Sequence, residues 1–441
     1  MQNTREYSHR SPQSSPVYLL WDESHFWGVM LWRALRYLQI PFATCRSSEI
    51  KQGILAAAPA EVLLVPGGFA SAKARSLGES GCREISRFVE NKGVYLGFCG
   101  GAGLALNNYP WPGLELCHWT RKAAAQRLPN CSGHINVHPG PCASSIPQTL
   151  NPPLSVPIWW PSQFEPAKNS GIDILATYKE PDTDFWVGDI PLNSTNRELI
   201  SNWEDLYNIN LDPELLRDEP CMISGSFGQG SFLLSYLHLE TPNSFAANLW
   251  LYNLLRDRGA TETGPGNGPD RIAPEQCLIP EWDLKSIPQS WKDPYLLQAF
   301  NILLQLIRIG EENFLFCWRK PWLLGWRRGI PGFALNSLLS MLHQVMEIEP
   351  GEEAHKYWRE NRDLFLDMLK RFEFLYQRYM IQKRLQLARD TRSSSQDPTS
   401  EMQDIKRQLT GSSKQEENLY KGITTVLQEL VWLQISSMEC E

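Results

Sequence analysis

Val94-Tyr95-Leu96-Gly97-Phe98-Cys99-Gly100-Gly101-Ala102-Gly103 is a short apolar strand running into a glycine-bracketed cysteine. Glycine removes the Cβ clashes that forbid a sharp strand-to-helix turn, so the run predicts a thiol held on such a turn. A helix over Gly101–Leu106 would aim its unpaired N–H groups at the sulfur. Its dipole would favour the thiolate, the form that acts as a nucleophile. The serine version of this geometry is the nucleophile elbow of hydrolases. Taken by itself, the pattern also fits a buried cysteine beside a tight βα turn.

A partner for the thiol lies far downstream. Gly228-Gln229-Gly230 opens a strand, Ser231-Phe232-Leu233-Leu234-Ser235-Tyr236-Leu237, that ends at His238-Leu239-Glu240 before Thr241-Pro242. Residues two apart in an extended chain point to the same side, so Glu240 can flank His238 and fix one imidazole tautomer. His238 is then free to take the proton from Cys99, with Glu240 as orienter. A third element is the buried strand Val62-Leu63-Leu64-Val65 feeding Pro66-Gly67-Gly68-Phe69. A loop this rich in backbone N–H groups, set beside an elbow, suits an oxyanion hole built from Gly67, Gly68 and Gly100.

Working outward, Val17–Trp21, Pro41–Cys45, Val62–Val65 and Val94–Phe98 read as strands. Helical apolar spacing over Phe26–Leu38, Ser47–Ala58 and Cys82–Asn91 separates them. Alternation of this kind predicts an α/β fold, a parallel sheet with helices on both faces. Ligands of such sheets bind beyond the carboxyl ends of the strands, which is where Gly67, Gly68 and Cys99 fall. Asp22-Glu23-Ser24-His25 follows the first strand and faces the same crevice, making Glu23 a candidate tuner of the thiol beside its plainer reading as a solvated loop charge.

These segments, in this order, resemble the class I glutamine amidotransferase-like superfamily, and within it the biotin-protein-ligase N-terminal-like branch. The matching stretches are Val65-Pro66-Gly67-Gly68, the elbow with Ala102 after Cys99-Gly100-Gly101, and His238-Leu239-Glu240. Trp159-Trp160-Pro161-Ser162-Gln163-Phe164 stands where that branch carries a glycine-rich or aromatic segment. The resemblance covers about residues 17–258. It implies a flavodoxin-like fold with Cys99 as nucleophile, His238 as base and Glu240 as orienter. A working glutaminase of this superfamily usually has His and Gln three and four places after the cysteine, where this chain has Ala102 and Gly103; Leu239 replaces the usual proline. Both departures count against glutamine hydrolysis. Biotin ligase activity is not implied either, because the chain has no Gly-Arg-Gly-type adenylate loop and no Lys-Trp-Pro-Asn-Asp-like strand.

Composition narrows the class. A hydrophobic content of 42% over 441 residues is ample for a core, so the chain as a whole is not disordered. A net charge of −7 argues against a general nucleic-acid binder, which needs a concentrated basic face. The ten cysteines are irregularly spaced without a Cys-x-x-Cys pair, fitting reduced thiols rather than a disulfide framework or zinc site. With a polar start and no long apolar run, the expected location is cytoplasmic. The 17 tryptophans can wall a pocket or fill a core, and composition does not separate the two.

The remaining segments set the expected organisation. His134-Ile135-Asn136-Val137-His138-Pro139 reads as strand and turn; its histidines would lie about 13 Å apart, too far for one metal, and a polar wall at the sheet edge is expected. Short strands are expected around Ile174–Tyr178 and Phe185–Val187, and a hairpin around Phe227-Gly228-Gln229-Gly230. Phe245–Arg256 reads as an amphipathic helix, with Asn243 or Ser244 as its cap. Residues 1–16 read as a flexible tail, 17–258 as the α/β domain and 259–290 as a linker. A C-terminal all-helical region follows: a helical domain over 291–390, a disordered segment over 391–415 and an amphipathic helix over 416–437. Trp318-Arg319-Lys320-Pro321-Trp322-Leu323-Leu324-Gly325-Trp326-Arg327-Arg328 reads as a loop, since one short basic-aromatic patch is marginal for membrane attachment.

Two functions follow. One is cysteine-dependent amidase or amidotransferase-like acyl transfer on a small amide or peptide, needing no cofactor or metal. The other is a binding or regulatory module that keeps the fold without turnover. The helical region is suited to a protein partner in either case.

Overall fold

Apolar runs of four or five residues with no polar interruption become the central strands of one large sheet. They are β1 (Val17–Leu20), β2 (Ala43–Cys45), β3 (Val62–Val65) and β4 (Val94–Phe98). The computed structural model describes residues 16–57, 61–107, 113–143, 146, 150–167, 171–256, 274–327, 329–388, 400–411 and 417–438. It divides into two compact units, Met1–Ile279 and Pro280–Glu441.

Among the described residues of the first unit the sheet has eleven strands. The further ones are β5 (Ser132–Pro139), β6 (Leu154–Trp159), β7 (Asp173–Pro181), β8 (Trp186–Val187), β9 (Ile190–Pro191), β10 (Pro220–Phe227) and β11 (Gly230–Ser235). One half, in the order β2-β1-β3-β4-β11, is parallel throughout and has the flavodoxin-like order. From β11 outward every pairing is antiparallel: β11 with β10, β10 with β7, β7 with β5, and β5 with both β6 and β8. The expected parallel sheet with helices is present, and the expected hairpin around Gly228–Gln229 extends it with antiparallel strands. The tight Gly228–Gln229 turn lets β10 and β11 pair only as a hairpin, and that reverses strand direction across the rest of the sheet.

Helices α1 (His25–Tyr37), α2 (Ala70–Glu90), α3 (Gly100–Ala105) and α4 (Phe245–Arg256) accompany the sheet. Helix α2 starts twelve residues before the expected Cys82, because a left-handed Gly78 (φ 60°) kinks it and breaks the apolar period. Tyr18, Leu63, Val65, Ile85, Tyr95 and Leu234 form a buried core under the parallel half.

The second unit is built from α5 (Pro294–Glu312), α6 (Gly332–Glu347), α7 (Glu352–Ala388), α8 (Ser400–Thr410) and α9 (Leu419–Met438). Helices α5, α6, α7 and α9 pack on one another through Leu303, Leu338, Leu342, Phe372, Tyr376 and Leu427. Three expectations are corrected here. The tryptophan-rich stretch is a hairpin, Phe316–Lys320 against Leu323–Trp326, with Pro321 in its turn and Trp322 buried, so the region is not all helical. Residues 400–410 of the expected disordered segment are helical. The later part of the expected linker is anchored, with Ile279, Trp282 and Leu284 buried; residues 257–273 and the tail over 1–15 lie outside the described residues. No helix among the described residues is long and apolar enough to cross a membrane.

Candidate active site

Where β4 meets α3, the backbone of Cys99 takes φ 47° and ψ −100°, a conformation that costs a side-chain-bearing residue free energy and is kept only where its surroundings enforce it. Three contacts enforce it. The Cys99 N–H donates to Ser235 O at 2.7 Å, which ties the elbow to the end of β11. The Tyr95 hydroxyl donates to Gly101 O at 2.7 Å. Gly100 also lies so close to Gly68 that a Cβ there would sit 2.1 Å from Gly68 O, while Gly68 itself has φ 109°. No other residue satisfies both positions, so the Gly67–Gly68 loop rests directly on the elbow. The first N–H groups of α3, on Gly100 and Gly101, have no partner within the helix.

His238 reaches the same place from β11. Ser235 Oγ accepts from Leu237 N–H and bonds Leu237 O, bending the chain out of the strand. Beyond the bend, His238 N–H donates to Pro157 O at 2.9 Å, Thr241 Oγ1 donates to His238 O, and Asn248 Nδ2 donates to both Leu239 O and Thr241 O. The imidazole is wholly buried, with Nδ1 2.7 Å from Glu240 Oε1 and the indole of Trp27 tilted over its face at 4.3 Å. Burial works against a charged ring, but the Glu240 carboxylate and the Cys99 side chain outweigh it and raise the His238 pKa to about 10. The Cys99 thiol thus lies within the electrostatic reach of the ring, and Glu240 Oε2 is buried without a hydrogen-bond partner among the described residues. An imidazolium clamped by a buried carboxylate can stabilise a thiolate and can deliver a proton to a leaving group.

Glu23 stands at the rim of this crevice, 37% exposed, with Oε2 3.7 Å from His25 Nε2. The residue that the sequence reading missed is Lys73. It is fully buried on α2, and its ammonium donates to Ser24 Oγ and Asp22 O. Burial lowers its pKa to about 7, opposed by Glu23, Asp22 and Cys99. The same burial, with the Lys73 charge, lowers His25 to about 4 and keeps that ring neutral near pH 7. A usable signal was present: Lys73 falls on the face marked by Ala70, Ala74 and Leu77, a face that is otherwise apolar. Among the described residues no group of three or more His, Cys, Asp or Glu side chains is placed to hold a metal. His134 and His138 sit on β5 four residues apart, as expected of a strand, and His134 bonds to Asp184 and Ser244.

Residues 49–111, which span β3, the glycine loop and the elbow, match the family described as "Biotin-protein ligase, N terminal". No curated protein matches the chain. Among solved structures it is similar to PurLQS from Thermotoga maritima, at 9% identity and a TM-score of 0.37, covering 56% of this chain and 99% of that one. A GMP synthase component from Thermoplasma acidophilum gives 10% identity and 0.35, covering 56% and 96%. A β-galactosidase from Rahnella sp. R3 gives 12% identity and 0.34; the match covers 56% of this chain but 32% of that enzyme, so the chain spans about a third of its length.

Proposed function

We propose that the first unit is a cysteine-dependent acyl-transfer module acting on a small amide or peptide. The observation that carries this reading is a strained, half-buried Cys99 at a helix N-terminus, beside a buried imidazole whose Nδ1 is held by the Glu240 carboxylate. In the proposed reaction the Cys99 thiolate adds to the substrate carbonyl carbon. The developing oxyanion is met by N–H groups of Gly68 and Gly100. His238 Nε2–H then protonates the departing amine, the C–N bond breaks, and a thioester to Cys99 remains. The same imidazole, now neutral, deprotonates water or an acceptor amine that releases the acyl group and regenerates the thiol. Glu240 holds Nδ1–H throughout. The Lys73 ammonium contributes positive potential at the crevice, which favours the thiolate.

The second reading, a binding module without turnover, is favoured by Ala102 and Gly103, both buried, where a glutaminase of the resembled superfamily carries His and Gln. A screen of small primary amides, glutamine included, on the full chain and on Cys99→Ala separates the two. Ammonia release by the full chain that disappears in Cys99→Ala is the outcome expected for acyl transfer. A ligand-induced rise in Tm without release of amine by either protein would overturn acyl transfer and establish binding alone.

A further inference from the structure

A second nucleophile–base–acid array stands in the first unit, apart from the Cys99 crevice. His134 Nδ1 lies 2.9 Å from Asp184 Oδ2, and His134 Nε2 lies 3.1 Å from Ser244 Oγ. Asp184 grips the residue twice, because its other oxygen accepts the His134 backbone N–H at 2.7 Å. The close approach that allows this grip is set by Gly133 (φ 133°), where a Cβ would stand 2.6 Å from Asp184 O. A carboxylate on Nδ1 fixes the tautomer in which Nε2 accepts, so the Ser244 hydroxyl donates to it.

Ser244 precedes α4, where a serine hydroxyl ordinarily caps the helix. Here the hydroxyl is turned to the imidazole instead, which leaves the first N–H groups of α4 beside Oγ without an intrahelical partner. Ser244 is covered, but its neighbours Asn243 and Phe245 are exposed and His134 is partly so, so the array lies just beneath the surface. A chain of indoles separates it from the first site: Trp159 edge-on to His134, then Trp160, then Trp27 against His238.

We propose that Ser244, His134 and Asp184 form a serine-nucleophile esterase site for small acyl esters, distinct from the Cys99 crevice. Ser244 Oγ bonds to the ester carbonyl carbon while its proton passes to His134 Nε2. The N–H groups of Phe245 and Ala246 face the oxyanion. Collapse breaks the ester C–O bond, and the alcohol leaves with the proton from His134. Water, deprotonated by the same ring, cleaves the acyl-serine to a carboxylic acid and restores the hydroxyl. Asp184 is a positioning residue.

The test treats the full chain with a biotinylated fluorophosphonate, which reacts with activated serines and not with thiols, and locates the adduct by peptide mass spectrometry. The expected result is an adduct on Ser244. Its rate of formation falls at least about 100-fold in His134→Gln and about tenfold in Asp184→Asn. The pH at which labelling is half-maximal also moves in Asp184→Asn, which a merely structural role would not produce. Measured in a Cys99→Ala background, which removes the thiol as a competing nucleophile, hydrolysis of p-nitrophenyl acetate is lost on adding Ser244→Ala with the circular dichroism spectrum retained. A folded wild-type chain with no adduct on Ser244 overturns the proposal even if every variant fails to fold, and so does labelling that His134→Gln leaves unchanged.

Discussion

The two halves of the large sheet solve different problems. In the parallel half, strands buried on both faces fix the backbone so tightly that a strained cysteine and two touching glycines are held at the ends of β3 and β4. In the antiparallel half, the strands carry partly exposed residues, bulges shift the register of β7 against β5 and β10, and Gly171 and Gly188 have nothing within 4 Å of a Cβ. The contrast teaches where strain is stored. A conformation such as that of Cys99 persists only where the packing around it leaves no alternative, and the parallel half supplies that packing. The antiparallel half contributes Pro157 O as the anchor of His238, the hairpin that delivers His238 to the elbow, and the His134–Asp184 pair.

Four perturbations break or sharpen this contrast. The largest effect is expected from Glu240→Gln, which leaves the buried His238 charge without its carboxylate. A loss of about 3–5 kcal/mol is expected in urea denaturation at pH 6. Because the folded pKa of His238 is raised, the pair's contribution is full below about pH 6.5, the ordinary histidine value. It is lost as pH rises through about 10, so the gap between wild type and Glu240→Gln should close over that window. A gap that is constant with pH would show that His238 is uncharged in the native protein.

Gly100→Ala comes next, because its new Cβ would meet Gly68 O at 2.1 Å in a part of the fold that cannot yield. A loss of about 3 kcal/mol is expected, read as a fall in Tm. Gly188→Ala, between β8 and β9 in the antiparallel half, is its control. Gly188 has φ 60° but nothing within 4 Å of a Cβ, so only the left-handed penalty of about 1 kcal/mol applies. Equal losses at the two glycines would remove the distinction between the halves. An effect of the same size as at Gly188 but opposite sign is expected from Lys73→Met, a gain of about 1 kcal/mol at pH 6, since a buried ammonium is removed together with its hydrogen bonds. The folded pKa of Lys73 is depressed, so the wild type carries its burial penalty in full below about pH 7 and sheds it as pH approaches the ordinary lysine value. The gain should therefore fade toward pH 10, and denaturation at pH 6 and pH 9.5 tests this directly.

The same contrast explains what could be read from the sequence. Val17–Leu20, Val62–Val65 and Val94–Phe98 announce themselves as uninterrupted apolar runs, and a glycine-flanked cysteine after the last of them is local information. The long helices of the second unit are legible for the same reason, since a 3.6-residue period needs no distant partner. The antiparallel extension is a set of non-local pairings. Nothing within Ser132–Pro139 says that it lies between Leu154–Trp159 and Asp173–Pro181, so the array of Ser244, His134 and Asp184 is invisible until the chain is folded. Lys73 carries its signal on the face of Ala70, Ala74 and Leu77, but the kink at Gly78 cuts that short period off from the legible second half of α2. The hairpin at Phe316–Trp326 reads as a loop in the sequence, because Pro321 and the interleaved basic residues break any regular apolar period.

At the centre of this account is an activated sulfur in the parallel half, and site-resolved alkylation measures it most directly. The full chain is treated with iodoacetamide at pH 7, and the rate at each cysteine is followed by mass spectrometry. Cys142 and Cys317 are exposed while Cys99 is half-buried, so accessibility alone would make Cys99 the slower to react. The account predicts that Cys99 is instead labelled at least about tenfold faster than either, and that His238→Ala abolishes the advantage. Labelling of Cys99 no faster than Cys142 and Cys317, with no change in His238→Ala, would contradict it.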